Sequence, residues 1–312
     1  MSKKILITPK SFTTYKEKAY PLIKEKGYEI IENTLGRTMT EQDIINLASQ
    51  NVVGIIVGVD PLPSQVLSAC KDLKAISKYG VGMDNIDLNS AKELGIKVKN
   101  AIGTNNVSVA ELAIALMFAA MRNIPPTSAG VKAGGWGRVI GYELTKKKLG
   151  LIGGGQIGKE VAKRARGLEM DVTIYDPYFN DTAFLEKYGI SRCSDINDIF
   201  RNSDVISLHL PATPETKGLI NKQSLEIMKP STFVINTSRG ELVDEAALYE
   251  ALVNGRIAGA AQDVFSNEPP SKDEKLLALD NFILTPHIGA FTREAVEKMV
   301  MVSTQNLLDM LE

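Results

Sequence analysis

Lys148-Leu149-Gly150-Leu151-Ile152-Gly153-Gly154-Gly155-Gln156-Ile157-Gly158 is the stretch that decides the fold class of this chain. Lys148–Ile152 reads as a buried strand. Gly153, Gly155 and Gly158 complete a G-x-G-x-x-G turn after it. From Gln156 to Leu168 the residues Ile157, Val161, Ala162, Ala165 and Leu168 return at helical spacing. Strand, glycine turn and helix in this order form the dinucleotide-binding element of a doubly wound α/β sheet. The glycines permit a tight turn and a close backbone approach, so N–H groups around Gln156, Ile157 and Gly158 can meet a pyrophosphate. A methyltransferase also places glycines after a first strand and an acid after a second, so the turn alone leaves two ligand classes open.

Outward from this stretch the chain alternates strand and helix in both directions. Before it, strands are expected at Lys4–Thr8, Tyr28–Ile31, Gly54–Val57, Leu73–Lys78 and Lys97–Lys99, with helical patterns such as Thr40–Gln50 and Ser64–Ala69 between them. Such alternation implies a parallel sheet covered on both faces. A long helix follows over about Ser108 to Arg122, stopped by Pro125-Pro126. Ala129 to Tyr142 is rich in glycine and reads as a loop with room for a short helix. After Lys148 a second series runs through Leu149–Ile152, Val172–Tyr175, Val205–His209, Phe233–Thr237, Gly259–Val264 and Phe282–Thr285, a six-strand doubly wound pattern. The last helix, about Arg293 to Leu311, is expected back against the first series, because the second has already closed its sheet.

Bulk composition narrows the classes. A chain of 312 residues accommodates two domains with sizeable cores. Its formal net charge of −1 gives no electrostatic case for nucleic acid or an anionic membrane. Leu112–Met121, the longest strongly apolar stretch, is too short to span a bilayer. The N-terminus runs straight into a strand, without the apolar region and cleavage site of a signal peptide. Cys70 and Cys193 lack metal-ligand spacing, so reduced thiols, a cytoplasmic location and no metal are expected.

Val172–Tyr175 ends in Asp176, 18 residues beyond Gly158. A carboxylate there can accept both ribose hydroxyls of an adenosine, and its charge repels a 2′-phosphate. Pro177, Tyr178 and Phe179 follow with no Arg or Lys beside them, which favours NAD over NADP. The competing reading of Asp176 is a turn residue before Pro177. Pro211 and Thr237, at the ends of two further strands, join the cofactor-site candidates.

Ligands of an open parallel sheet bind outside the carboxyl ends of its strands. Arg239, Glu268 and His287 each follow such an end. Singly, each is explained by a solvated loop charge or a packed imidazole. Together they supply an anion clamp, a carboxylate and an acid–base group. Hydride transfer between NAD and a 2-hydroxy or 2-oxo acid needs that set. An imidazole takes or returns the hydroxyl proton, a carboxylate favours its imidazolium form, and a guanidinium grips the substrate carboxylate and polarises the carbonyl oxygen. His209 is the rival imidazole; it ends a strand but has no matching loop carboxylate.

These stretches resemble the D-isomer-specific 2-hydroxyacid dehydrogenases nearly end to end. The resemblance rests on Gly150–Gly158, on Ile235-Asn236-Thr237-Ser238-Arg239-Gly240, on Asp263-Val264-Phe265 with Glu268-Pro269, and on Pro286-His287-Ile288-Gly289. It implies Arg239, Glu268 and His287 as the catalytic set, Asp176 on the adenosine ribose and Asp263 facing the nicotinamide carboxamide. It implies a flavodoxin-like substrate-binding domain of residues 1–100 and 287–312, with a Rossmann NAD-binding domain of residues 101–286 inserted in it. The loop Lys78-Tyr79-Gly80-Val81-Gly82 is expected to present N–H groups to the substrate carboxylate, with Asn105 nearby; an ordinary turn is the alternative. The family further implies a homodimer packed through the long helix over Ser108–Arg122.

Within the family the likeness is greatest to phosphoglycerate dehydrogenases. Lys78 stands where these often carry an Arg that meets the substrate phosphate, though Lys lacks the planar fork. Arg138 matches a second basic position, one that reaches a neighbouring active site. The chain ends at Glu312, and serine feedback through a further regulatory domain is not expected. Glu268 argues against formate dehydrogenase, which usually carries Gln there. The leading expectation is an NAD-dependent dehydrogenase whose first substrate pair is 3-phosphoglycerate and 3-phosphohydroxypyruvate. The alternatives are a reductase of glyoxylate, hydroxypyruvate or another 2-oxo acid and, from another class, an NAD-sensing corepressor-like binding protein. The sequence leaves open which 2-hydroxy acid is used and in which direction.

Overall fold

A computed structural model describes residues 2–312 of the chain. They form two compact units, one of the residues up to Asn105 together with Ala290–Glu312, the other of Asn106–Gly289. These divisions fall at 105/106 and 289/290, a few residues beyond the 100/101 and 286/287 drawn from sequence.

The first unit contains β1 (Lys4–Ile7), α1 (Lys16–Glu25), β2 (Glu29–Glu32), α2 (Glu41–Ala48), β3 (Val52–Val57), α3 (Ser64–Ala69), β4 (Ala75–Lys78), α4 (Leu88–Glu93) and β5 (Lys97–Asn100). Its five strands are parallel in the order β2-β1-β3-β4-β5, the flavodoxin-like arrangement. Every residue of β3, Val-Val-Gly-Ile-Ile-Val, is buried, as a central strand covered on both faces requires. Leu6, Ile55, Val57 and Ile76 pack toward α2 and α3, whose Ile44, Val66 and Leu67 belong to the same cluster. Ile5, Ile7, Ile56 and Ala75 pack on the opposite face with Ile23 of α1 and with Met299, Val300, Leu307 and Leu308 of the C-terminal helix, Arg293–Leu311. That helix starts where the Thr292 hydroxyl accepts the Ala295 N–H. It lies close because β3 has glycine at position 54: a Cβ there would stand 3.1 Å from Leu307.

The second unit contains α5 (Asn106–Met121), α6 (Ile124–Lys132), β6 (Lys148–Ile152), α7 (Gln156–Gly167), β7 (Asp171–Tyr175), α8 (Thr182–Tyr188), β8 (Ser191–Cys193), α9 (Ile196–Asn202), β9 (Val205–Leu208), α10 (Lys222–Ile227), β10 (Phe233–Asn236), α11 (Glu245–Val253), β11 (Gly259–Gln262) and β12 (Phe282–Leu284). The sheet is fully parallel in the order β12-β11-β10-β9-β6-β7-β8. The order reverses between β6 and β9, which is where a doubly wound sheet opens its ligand crevice. The side chains alternate: Leu149 and Leu151 face α5 and α7, whereas Ile152, Ile206 and Val234 face α9, α10 and α11. α5 is strongly apolar and buries Ala110, Ala113, Leu116, Met117 and Met121 in the same cluster as Leu149 and Leu151, while Val107 and Glu111 stay exposed. Among the described residues no single helix is long and apolar enough to cross a membrane.

Two local readings are corrected. The sheet has seven strands where six were expected, the addition being β8 at the edge. Ser-Arg-Cys carries no apolar run that would mark a strand. Pro125-Pro126 does end α5, but it also opens α6, in whose first turn a missing N–H costs nothing. Asn123, at φ 51°, makes the break between the helices.

Leu307 is fully buried between the helix and β3. Leu307→Ala is expected to lower the stability of the first unit by about 2–5 kcal/mol, and the volume-conserving Leu307→Met by less than about 1.5 kcal/mol. Urea unfolding followed by circular dichroism measures both.

Candidate active site

The glycine turn leaves β6 at the point where the strand order reverses. Gly153 has φ 104°, and a Cβ on it would lie 2.2 Å from the His209 carbonyl oxygen at the end of β9. A Cβ on Gly158 would lie 2.1 Å from the Gly153 carbonyl oxygen, so α7 can approach β6 only with glycine there. Gly155 differs. A Cβ on it would meet no protein atom within 4 Å, which leaves open space at the start of α7. Gln156, Ile157 and Gly158 occupy the first turn of that helix, where N–H groups lack partners within the helix. The turn therefore fits a pyrophosphate by the chemistry of its donors and by its open side.

Asp176 stands beside this turn, at the end of β7. Its Oδ2 accepts the Gly154 N–H at 2.8 Å and its Oδ1 accepts the Tyr178 N–H at 2.8 Å. The half-buried carboxylate is thus aimed by backbone donors and keeps acceptor capacity on both oxygens. A residue that sequence reading missed lies next to it: Arg192 of β8 donates from Nη2 to the Asp176 carbonyl oxygen at 3.2 Å. Strand pairing alone brings this cation there.

Three carboxyl-end loops of the sheet bring Arg239, Glu268 and His287 to one edge. Gly240 allows it. A Cβ there would lie 2.0 Å from the Phe265 carbonyl carbon, so the loop after β10 rests backbone to backbone on the loop after β11. Asn236 steadies the first of these loops, donating to the Arg239 carbonyl oxygen at 2.8 Å and accepting the Ser238 N–H at 3.0 Å. In the second, Glu268 Oε1 accepts the Phe265 N–H at 2.9 Å, while Oε2 lies 2.7 Å from His287 Nδ1. An ionised carboxylate can only accept, so Nδ1 carries the proton and Nε2 is the nitrogen that exchanges one. Burial pushes the Glu268 carboxyl up. The hydrogen bonds from His287 and Phe265, with the charges of His287 and Arg239, outweigh it and hold the group below its ordinary range.

Asp263 is buried and is aimed at the His287 loop. Oδ1 accepts the Thr285 hydroxyl at 2.6 Å and the Ile288 N–H at 2.8 Å; Oδ2 accepts the Gly289 N–H at 2.7 Å. Burial raises its carboxyl above the ordinary range against the pull of these three donors. Both oxygens are thus engaged in fixing the segment that carries His287.

The other cofactor-site candidates line the neighbouring strand ends. Thr237 closes β10, and its Oγ1 is buried without a hydrogen-bond partner among the described residues. Pro211 is exposed in the loop after β9, its carbonyl oxygen accepting from Thr216 at 2.8 Å. His209, just after β9, is in a different environment from His287. Its Nε2 is 2.9 Å from Ser207 Oγ, and its buried Nδ1 has no partner among the described residues. Burial depresses its pKa to about 3, so the ring is neutral at physiological pH.

In the first unit, Lys78 closes β4. It is 6% exposed, and its ammonium donates to the Gly58 carbonyl oxygen and, at 2.7 Å, to Asn85 Oδ1. Its charge thus lies beneath the loop it begins: the nearest atom to a Cβ on Gly80 would be Lys78 Cε at 3.8 Å. Tyr79 is buried against Phe12 with ring centroids 5.9 Å apart. The loop's carbonyls are in use, Gly80 accepting the Ala101 N–H at 2.9 Å and Val81 the Asn100 amide at 2.6 Å. The N–H groups of Gly80, Val81 and Gly82 make no hydrogen bond among the described residues. Asn105 is buried, with its Oδ1 likewise unpartnered among the described residues. Arg138, in the second unit, is exposed in the irregular segment after α6.

Residues 114–289 match the family model described as D-isomer specific 2-hydroxyacid dehydrogenase, NAD binding domain. The chain belongs to the D-isomer-specific 2-hydroxyacid dehydrogenases. Its second unit carries that family's NAD-binding domain. The chain is 43% identical to a D-3-phosphoglycerate dehydrogenase of Archaeoglobus fulgidus, over 94% of its own length and 55% of the relative's. It thus spans about half the length of the curated phosphoglycerate dehydrogenases it matches first. A hydroxypyruvate reductase of Thermotoga maritima is 40% identical over 91% of each chain. Among solved structures, the TT0316 protein of Thermus thermophilus superposes with a TM-score of 0.88 at 34% identity, over 99% of this chain and 96% of that one.

His209 gives a testable pH dependence. The unfolded chain takes up its proton near the ordinary pKa of about 6.5, and the folded chain only near about 3. The unfolded state therefore binds more protons in between, and stability present above about pH 6.5 is lost as pH falls toward 3. The limiting slope is about 1.4 kcal/mol per pH unit. His209→Gln is expected to remove this component, which denaturant midpoints of both proteins between about pH 6.5 and 4 measure.

Proposed function

We propose that this protein is an NAD-dependent dehydrogenase that interconverts a small D-2-hydroxy acid and its 2-oxo acid. One observation carries the reading: the 2.7 Å contact between His287 Nδ1 and Glu268, at the sheet edge that also holds the open glycine turn. Gly153, Gly155, Gln156, Ile157 and Gly158 would hold the pyrophosphate, Asp176 the adenosine ribose, and Pro211 and Thr237 the walls between them. Asp263 serves the nicotinamide end through the His287 segment it fixes. When bound, the nicotinamide supplies or accepts the hydride.

The chain's own groups do the rest. His287 Nε2 withdraws the proton from the C2 hydroxyl during oxidation and returns it to the carbonyl oxygen during reduction. Glu268 holds the imidazole in the tautomer that leaves Nε2 available and balances the charge it gains. Arg239 stabilises the negative charge that grows on that oxygen and grips the acid's carboxylate. The unpartnered N–H groups of Gly80, Val81 and Gly82, with the Lys78 charge under them, are suited to the same carboxylate class of ligand. Asn105 and Arg138 complete the substrate assignments.

For the substrate, 3-phosphoglycerate and 3-phosphohydroxypyruvate come first, supported by the relatives named D-3-phosphoglycerate dehydrogenase. Hydroxypyruvate is the second reading, favoured by the Thermotoga maritima reductase, which matches this chain along 91% of both lengths. A homodimer belongs to the proposal. Val107, Ile124, Val131, Trp136, Val139 and Ile140 are all at least 48% exposed within one stretch of the second unit, and an apolar surface of that kind suits a second copy. A cytoplasmic location is supported by the free thiols Cys70 and Cys193.

The test follows NADH absorbance with phosphohydroxypyruvate, hydroxypyruvate and glyoxylate. Turnover of at least one is expected. Tight NADH binding with flat traces for all of them would point instead to a binding protein. His287→Ala is expected to lower kcat by about 10²–10⁴-fold while NADH binding persists. An unchanged kcat would remove His287 from the acid–base role.

A further inference from the structure

We infer that Arg192 is a specificity-determining residue at the adenosine end of the cofactor site. Its guanidinium gives the chain a foothold for a 2′-phosphate, which the Asp176 carboxylate holds in check. The inference rests on the dinucleotide reading above and goes beyond its preference for NAD.

The placement comes from β8. This edge strand runs parallel to β7 with Ile174 beside Arg192 and Tyr175 beside Cys193, so position 192 stands two residues short of Asp176 on the neighbouring strand. Arg192 is exposed, and its one hydrogen bond among the described residues is the 3.2 Å contact to the Asp176 carbonyl oxygen. A guanidinium has five N–H donors in a planar fork that matches phosphate. The Asp176 carboxylate does not consume them. Its oxygens are held by the Gly154 and Tyr178 N–H groups, and no Arg192–Asp176 ion pair forms within 4.0 Å among the described residues. A carboxylate and an unneutralised guanidinium therefore flank one small region, the former suited to ribose hydroxyls and the latter to a phosphate ester.

Another cation of this unit is already committed. Lys159 of α7 is 2.6 Å from Asp181 and lies over the Phe179 and Phe184 rings at 5.4 and 5.5 Å. If Arg192 were only a brace for the β7 turn, its removal would affect NADH and NADPH alike. As a phosphate ligand it affects NADPH alone, and most strongly once the Asp176 charge is gone.

Fluorescence titration of NADH and NADPH on the wild type, Asp176→Ser, Arg192→Gln and the double variant separates these cases, with calorimetry of 5′-AMP and 2′,5′-ADP as cofactor fragments. Asp176→Ser is expected to weaken NADH and to tighten NADPH. Adding Arg192→Gln should then weaken NADPH and 2′,5′-ADP by roughly tenfold or more, the worth of charge-assisted hydrogen bonds, while NADH and 5′-AMP stay within about twofold. Equal NADPH affinity in Asp176→Ser with and without Arg192 would overturn the inference. So would parallel losses of NADH and NADPH in Arg192→Gln. A wild type that binds neither NADH nor 5′-AMP would instead overturn the dinucleotide reading, and the inference with it.

Discussion

The candidate site of the second unit depends on backbone lying directly against backbone at the carboxyl edge of its sheet. Two glycines make this possible. A Cβ on Gly153 would come within 2.2 Å of the His209 carbonyl oxygen, and one on Gly240 within 2.0 Å of the Phe265 carbonyl carbon. Neither neighbour is a side chain that could turn away, so relief would require moving a strand end. The first contact sets the glycine turn on the crevice between β6 and β9. The second sets the Arg239 loop on the loop that carries Glu268. With either loop displaced, the cation, the carboxylate and the imidazole would no longer share an edge.

His287 adds a cost that this edge must offset. It has φ 54°, in the left-handed region that non-glycine residues seldom occupy, and such a conformation persists only where the surroundings impose it. Asp263 imposes it. Its buried carboxylate accepts N–H groups from the two residues after His287, and the side-chain-free Gly289 leaves Asp263 Oδ2 the room to do so, at 3.1 Å from where a Cβ would be. Burial alone would favour a protonated Asp263, while its three donors favour the ionised form. The carboxylate and the strained backbone thus each supply what the other needs. This is a reason for an acid at position 263 that precedes any contact with a cofactor.

What sequence could reveal here follows from the range of the interactions involved. The β6–turn–α7 unit is local: a buried strand, three spaced glycines and a helical stripe lie within 21 residues, so periodicity and turn chemistry suffice. Arg239, Glu268 and His287 were legible because parallel strands send all their carboxyl ends to one side. The seventh strand was not, since three residues at an edge, of which only Cys193 packs on the core, leave no hydrophobic period. With β8 unseen, Arg192 could not be placed beside Asp176, 16 residues away. Lys78 was legible only in part: its position in the loop followed from the sequence, but its burial depends on Gly58 and Asn85, which only the folded sheet brings to it.

The two histidines show why position at a strand end does not by itself assign a role. Both follow strands of one sheet, and both line its carboxyl edge. Among the described residues the His209 ring has the Ser207 hydroxyl for its only partner, and burial keeps it neutral through the physiological range. A group that cannot gain a proton there cannot serve as the acid in one direction and the base in the other. His287 is 44% exposed and has a carboxylate on Nδ1, which fixes the ring in place and leaves Nε2 for proton exchange. Environment separates the imidazole suited to proton transfer from the one suited to packing. Glu268, itself kept ionised by His287 and the Phe265 N–H, is the residue that makes the difference.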